Sequence, residues 1–201
     1  MPEISVVLLA AGASTRMGQQ KALLPWRGTT LFLYQVYALL DAGVTEVIAV
    51  LGYRGERLRS LIDGIPRVAS TLNLRYRTGK ASSVRAGLRC LSPGAETVLV
   101  LSVDQPRSPA LVERVLEAHR QHGALITYPV YEGKGGHPVL FSEMLLPEML
   151  RIRESRQGLR EVVERHRSEV FRLEVDDQEA LLDLNRPQDY ERAVAAAGPA
   201  G

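Results

Sequence analysis

The richest spacing for chemistry lies near the start of the chain. From Leu9 the sequence reads Leu-Ala-Ala-Gly-Ala-Ser-Thr-Arg-Met-Gly, closing at Gly18, and Lys21 follows shortly after. Small side chains throughout let backbone amides approach an anion and wrap it as a nest. Gly12 and Gly18 are placed to give the loop its sharp turns. Arg16 offers a planar fork of donors suited to phosphate oxygens, and Lys21 a movable point charge. Small residues alone would suit a plain turn with two surface cations. Their combination with Arg16 and Lys21, directly after an apolar run, points to phosphate binding. The GxGxxG and GxxxxGK[ST] patterns are absent.

Asp104 ends a second apolar run, Thr-Val-Leu-Val-Leu-Ser-Val over 97–103. A carboxylate there is a helix cap, a turn residue or a ligand for a hard cation. Mg²⁺ usually takes one or two protein carboxylates plus phosphate oxygens and waters, so a neighbouring phosphate loop favours the ligand reading. His137, set among Gly135, Gly136 and Pro138, is either a donor toward a second substrate or a loop histidine fixed by those neighbours. His119, His122 and His166 fall on amphipathic stretches and read as surface residues. Trp26 reads as core or lid packing.

The elements that must position these groups alternate along the chain. Ile4–Leu9 is apolar, rich in β-branched residues and continuous, which predicts a strand buried on both faces. Further strands are expected at 46–51, 97–103, 124–131, 139–141, 170–175 and 181–184. Helices are expected at 30–42, 56–62, 82–91, 109–122, 158–166 and 189–197, with Ser108-Pro109 opening the longest. The tail 198–201 should fray. Alternating β and α with buried strands implies an α/β fold with three layers, a mostly parallel Rossmann-like sheet carrying helices on both faces. Ligands on such a sheet bind beyond the carboxyl ends of its strands. A single domain is expected over 1–201, with a nucleotide-binding core at 1–131 and an acceptor-side segment at 132–201.

Composition narrows the alternatives. Of 201 residues, 45% are hydrophobic and 24% charged, which excludes a disordered chain or a fibre, and the net charge is +2, with no concentrated basic stripe of the kind that binds nucleic acid. Arg151, Arg153, Arg156 and Arg160 are interrupted by Glu154 and read as a solvated helix face. The single cysteine, Cys90, excludes an internal disulfide and a multi-cysteine zinc site, and reads as buried packing. Glu3 is the only charged side chain before the first apolar run, unlike a secretory signal, and no run approaches the ~20 apolar residues of a membrane span. A cytoplasmic protein is expected.

These segments, in order, resemble the molybdenum cofactor cytidylyltransferase group of the GT-A-like nucleotidyltransferase superfamily. LAAGASTRMG with Lys21 resembles its LAAGxSxRMGxxK signature. GKASSVRAGL (79–88) resembles the segment holding base and ribose, and SVDQPR (102–107) the metal-binding segment. GGHPVLF (135–141) and QGLREVV (157–163) resemble acceptor-side segments, and LLDLNRPQDY (181–190) the closing motif.

The resemblance implies transfer of CMP from CTP to molybdopterin-bound molybdenum with release of pyrophosphate. The guanylyl branch has glycine where this chain has Ala11, which favours cytidine. Leu9, Ala10, Ala11 and Gly12 would lie against the nucleotide, with Gly79 and Ser83 nearby. Ser82 either assists Ser83 or caps its helix. Arg16 and Lys21 would meet the triphosphate and Asp104 would bind Mg²⁺. The second metal ligand falls at Asn185, where the family has aspartate; this removes one negative charge, and Asp183, on the same strand face by alternation, is the candidate to compensate. Gly136 and His137 would face the acceptor. A molybdoenzyme or its chaperone is an implied partner. Other readings are GTP as donor, a sugar or polyol phosphate as acceptor, an accessory protein that binds without turnover, and an oxidoreductase, which the missing glycine fingerprint disfavours.

Overall fold

The computed structural model describes residues 3–197, with Arg16 and Ala197 described by backbone alone. The elements run β1 (Ile4–Ala10), β2 (Pro25–Trp26), β3 (Thr29–Thr30), α1 (Leu31–Asp41), β4 (Glu46–Leu51), α2 (Gly55–Ile62), β5 (Val68–Leu72), α3 (Lys80–Leu88) and β6 (Thr97–Ser102). They continue as α4 (Pro109–His122), β7 (Ile126–Tyr131), β8 (Lys134–Gly135), β9 (Val139–Ser142), α5 (Leu146–Met149), α6 (Leu159–Arg165), β10 (Val170–Glu174) and α7 (Pro187–Ala197). The main sheet has the order β10-β7-β9-β6-β1-β4-β5, with β8 paired to β7; β2 and β3 form a separate hairpin.

Alternation along β1 explains the three layers. Val6, Leu8 and Ala10 enter one core with Phe32, Val36, Leu58 and Val112 of α1, α2 and α4. Val7 and Leu9 enter the opposite core with Val84, Met149 and Val162 of α3, α5 and α6. A strand buried on both faces has no polar side to show, which is why its sequence is a continuous apolar run. Local caps fix where helices begin: the Thr30 hydroxyl accepts from Leu33 N–H at 3.2 Å and the Ser108 hydroxyl from Leu111 N–H at 3.3 Å.

Register places the site. Strand β1 lies between β4 and β6, all parallel, with Leu9 opposite Ser102 and Ala10 opposite Leu51. The loops after β1 and β6 therefore leave the same edge side by side, and Val103 N–H donates to the Leu9 carbonyl at 3.0 Å. Strand β9 is antiparallel to both neighbours, with Val139 opposite Val100. Because it runs backwards, its entry segment, including Gly136 and His137, arrives at that same carboxyl edge.

Four expectations are corrected. Residues 181–184 form no strand: a 3₁₀ turn spans Gln178–Leu181, and the carbonyls of Ala180 and Leu182 accept from the Arg107 guanidinium rather than from a ladder. Cys90 is exposed, because α3 ends at Leu88 and Cys90 falls in the turn beyond it. His119 is buried, its ring nitrogen 2.8 Å from the Thr127 hydroxyl. The arginines at 151, 153, 156 and 160 are exposed but share no helix, since α6 begins at Leu159. Strand β5 escaped the sequence reading because it is a half-exposed edge strand with mixed residues (VASTL). The tail 198–201 lies outside the described residues. Trp26 is buried in the core as expected.

Candidate active site

At the carboxyl edge a cavity of about 310 Å³ opens between the loops after β1 and β6 and the start of α3. Leu9, Ala10, Ala11, Gly12, Lys21, Gly79, Ser83 and Asp104 all line it, so the first loop and the acidic residue midway along the chain face one space. The loop's bends differ from expectation. Ser14 (φ 52°) and Gly18 (φ 66°) adopt left-handed backbone, whereas Gly12 does not. The Ser14 hydroxyl accepts from Lys21 N–H at 3.1 Å, folding the loop back so that Lys21 points across to β6. The side chain of Arg16 lies outside the described residues. Ser82 turns away from the cavity: its hydroxyl donates to the Gly79 carbonyl at 2.8 Å or that of Arg75 at 3.0 Å, and it does not cap the helix, whose N-cap is Gly79 with no side-chain bond.

Lys21 Nζ lies 2.9 Å from an Asp104 carboxylate oxygen and 3.2 Å from Asn185 Oδ1. Two oxygens that share one ammonium face a common point, and a carboxylate with an amide oxygen is a hard donor set of the kind Mg²⁺ accepts when phosphates and waters complete its shell. Among the described residues no three or more His, Cys, Asp or Glu side chains cluster as a metal site, so those remaining ligands would have to come from substrate. Asp183 loses the alternation argument together with its strand. Asp183 is exposed to solvent, yet the protein around its carboxyl partly desolvates it and raises its pKa against a lowering hydrogen bond with Gln105, and Asp104 adds to the rise.

Beneath Asp104 sits a set of buried polar groups that sequence reading missed. Gln35, fully buried on α1, donates to the carbonyls of Gln105 (2.5 Å) and Ser102 (3.4 Å) and accepts from Arg107 N–H at 3.3 Å. Arg107 is also fully buried and meets four carbonyls: His137 (2.9 Å), Pro106 (2.8 Å), Leu182 (2.9 Å) and Ala180 (2.8 Å). Burial lowers its pKa to about 10. A polar residue on an apolar helix face was the signal for Gln35. Arg107 closes the segment SVDQPR, in which nothing marks it as buried; its partners are the adjacent Pro106 and three distant segments, at Gln35, at His137 and at 180–182.

A second cavity, about 690 Å³, adjoins the first. Its walls include Tyr128, Val139, Phe141 and Leu159, with Gly136, His137, Glu154, Gln157 and Arg160. Lys80, which sequence reading did not single out, lines both cavities and marks their junction. Glu154 reaches the start of α3, accepting from Ala81 N–H at 2.7 Å. Burial, reinforced by the positive charges of Lys80 and Arg107, lowers the His137 pKa to about 3, so its ring is neutral at neutral pH. Its Nδ1 is buried without a partner among the described residues. Gly136 is required sterically: a Cβ there would strike the Ala180 carbonyl oxygen.

The chain is 28% identical over 193 residues to the molybdenum cofactor cytidylyltransferase of Escherichia coli K12, covering 94% of this chain and 95% of that protein. It is 34% identical over 159 residues to the nicotine blue oxidoreductase of Paenarthrobacter nicotinovorans, covering 73% and 74%. The crystal structure of Rv0371c from Mycobacterium tuberculosis H37Rv superposes with a TM-score of 0.83 at 29% identity, covering 96% of this chain and 98% of that one; its manganese complex gives 0.78 at 27%, covering 96% and 99%. No helix among the described residues is long and apolar enough to cross a membrane. The family model of the MobA-like NTP transferase domain matches residues 6–170, and the chain belongs to that family of nucleotidyltransferases.

Proposed function

We propose that this chain transfers CMP from CTP to the terminal phosphate of a molybdopterin-type acceptor carrying molybdenum, releasing pyrophosphate. The observation that carries the reading is the pair of adjoining cavities with Lys80 at their junction. The smaller has a phosphate-type loop and an oxygen-donor corner; the larger has aromatic and aliphatic walls suited to a flat heterocycle more than to a sugar. The resemblance to cytidylyltransferases and Ala11 in place of glycine support CTP over GTP. Nucleoside triphosphates as substrates put the reaction in the cytoplasm, and a molybdoenzyme or its chaperone is the partner that would receive the product.

An oxygen of the acceptor phosphate attacks the α-phosphorus, the bond from that phosphorus to the bridging oxygen breaks, and pyrophosphate departs with the electron pair. No general base is needed, because a terminal phosphate with a second pKa of about 6 is already largely ionised at neutral pH. The obstacle is the meeting of two anions, and catalysis is positioning and charge stabilisation. Asp104 and Asn185 would hold Mg²⁺ or Mn²⁺, which when bound offsets charge on the triphosphate. Lys21 and Arg16 would bind the β- and γ-phosphates, and Lys80 would hold both phosphates at the junction. Neutral His137, unable to act as an acid at pH 7, lines the larger cavity and would help to orient the acceptor there.

The test is pyrophosphate release from each of four nucleoside triphosphates, with molybdopterin, sugar-phosphate and polyol-phosphate acceptors and Mg²⁺. The reading expects turnover with CTP and the pterin acceptor. Turnover only with GTP or a sugar phosphate overturns it, and CTP binding without turnover makes the chain an accessory protein. The likeness to nicotine blue oxidoreductase favours a second reading, a nicotinamide or flavin oxidoreductase, against which stands the absence of GxGxxG from the loop at 9–18. A bound chromophore in the purified chain, or binding of NADH, would support it.

A further inference from the structure

The polar contacts behind Ser83 fix which way its hydroxyl hydrogen points. Asn73 follows β5, is buried, and is locked by its backbone: its Oδ1 accepts from Arg75 N–H at 2.9 Å. An amide N–H is only a donor, so this contact settles which end of the Asn73 side chain carries its hydrogens. The Nδ2 end then donates to both Ser82 Oγ and Ser83 Oγ, each at 2.9 Å. Ser82 delivers its own hydrogen to the carbonyl of Gly79 or Arg75. Ser83 has no such outlet. The Gly79 carbonyl already accepts from Ser82 N–H (3.2 Å) and lies 2.8 Å from the Ser82 hydroxyl. No donation from the Ser83 hydroxyl is found among the described residues, while Ser83 itself lines the nucleotide cavity.

We propose that Asn73 is a positioning residue that fixes the Ser83 hydroxyl as a donor into the cradle, so that the cradle selects a nucleotide presenting an acceptor there. A pyrimidine such as cytosine offers O2 and N3; the N1 and N2 edge of guanine offers donors. The inference rests on the proposed function for the assignment of this cavity to a nucleotide. Its physical basis is that a donor facing a donor leaves both buried groups unpaired, which discriminates more strongly than a missing contact does.

The deciding variant is Asn73→Asp, which places a carboxylate oxygen where Nδ2 was. In that variant the Ser83 hydroxyl donates backwards to the introduced carboxylate and turns a lone pair to the cradle. Dissociation constants for CTP and GTP are measured by calorimetric titration, together with kcat at saturating CTP. We expect the CTP-over-GTP preference to fall roughly tenfold, the worth of about one hydrogen bond, with kcat little changed. An equal loss of affinity for both nucleotides, or an unchanged preference, overturns the inference and reduces Asn73 to a structural role. Should Asn73→Asp fail to fold, Ser83→Ala must lower the preference and Ser83→Thr, which keeps the hydroxyl, must retain it; the reverse overturns the inference. A wild-type chain that binds CTP and GTP alike overturns both this inference and the proposed function. A wild type that prefers CTP, with its preference intact in the variants, overturns the inference alone.

Discussion

The backbone N–H of Leu184 donates to the carbonyl of Asp104 at 2.8 Å. Through this one bond the closing segment, with Asn185 at its exposed tip, is pinned beside the β6 edge. Lys21 completes the corner from the opposite side. The three groups come from segments far apart in the chain, and their convergence depends on the neighbouring positions of β1 and β6 in the sheet.

Lys21→Ala is expected to lower pyrophosphate release by about 10²–10³-fold while leaving the melting transition near that of the wild type. A unit charge pair at 4 Å is worth ~4 kcal/mol at an effective dielectric near 20, and the charge on the triphosphate is where Lys21 would act. Steady-state kinetics beside thermal denaturation check it. Near-normal turnover would remove Lys21 from the machinery.

Asn185→Asp adds a negative charge beside Asp104 and should tighten Mn²⁺ binding by roughly tenfold, a modest part of the Coulomb gain once solvent screening is allowed for. Titration with Mn²⁺, followed by its electron paramagnetic resonance signal, reads this directly. An unchanged affinity would place Asn185 outside the ligand set.

His137 carries a pH signature. Its pKa is 6.5 when unfolded and about 3 when folded. Between those values the unfolded chain binds more protons, so this ring's contribution to stability is complete above about pH 6.5 and is lost as pH falls, at about 1.4 kcal/mol per unit. His137→Asn should have a shallower loss of stability than the wild type between about pH 4 and 6 in denaturant unfolding. Identical slopes would show that the ring is not shielded.

Arg107→Met should destabilise the fold by about 3–5 kcal/mol, because it strands four buried carbonyls that a thioether cannot satisfy. Arg107→Lys should recover little, since one ammonium lacks the planar fork that reaches Ala180, Leu182, Pro106 and His137 together. Urea denaturation measures both, and a loss below about 1 kcal/mol for either would contradict the clamp.

The alternation of strands and helices, the doubly buried runs at 4–9 and 97–103, and the small-residue loop leading to Lys21 were all legible in the amino-acid order, because each is set by local periodicity or by residues adjacent in the chain. The capped helix start at Ser108 was equally readable for the same reason. What the order of residues left open was every relationship between distant segments. Residues 181–184 look like a strand by composition, yet the Leu182 carbonyl, with that of Ala180 before it, turns to Arg107. His119 looks like a surface residue by helical spacing, yet β7 covers it. Gln35 shows only as a polar residue on an apolar helix face, and the roles of Asn73, Lys80 and Arg107 are not marked by their neighbours in the chain. Their meaning comes from partners brought together by sheet order and by the reversed direction of β9, and long-range packing alone could decide those.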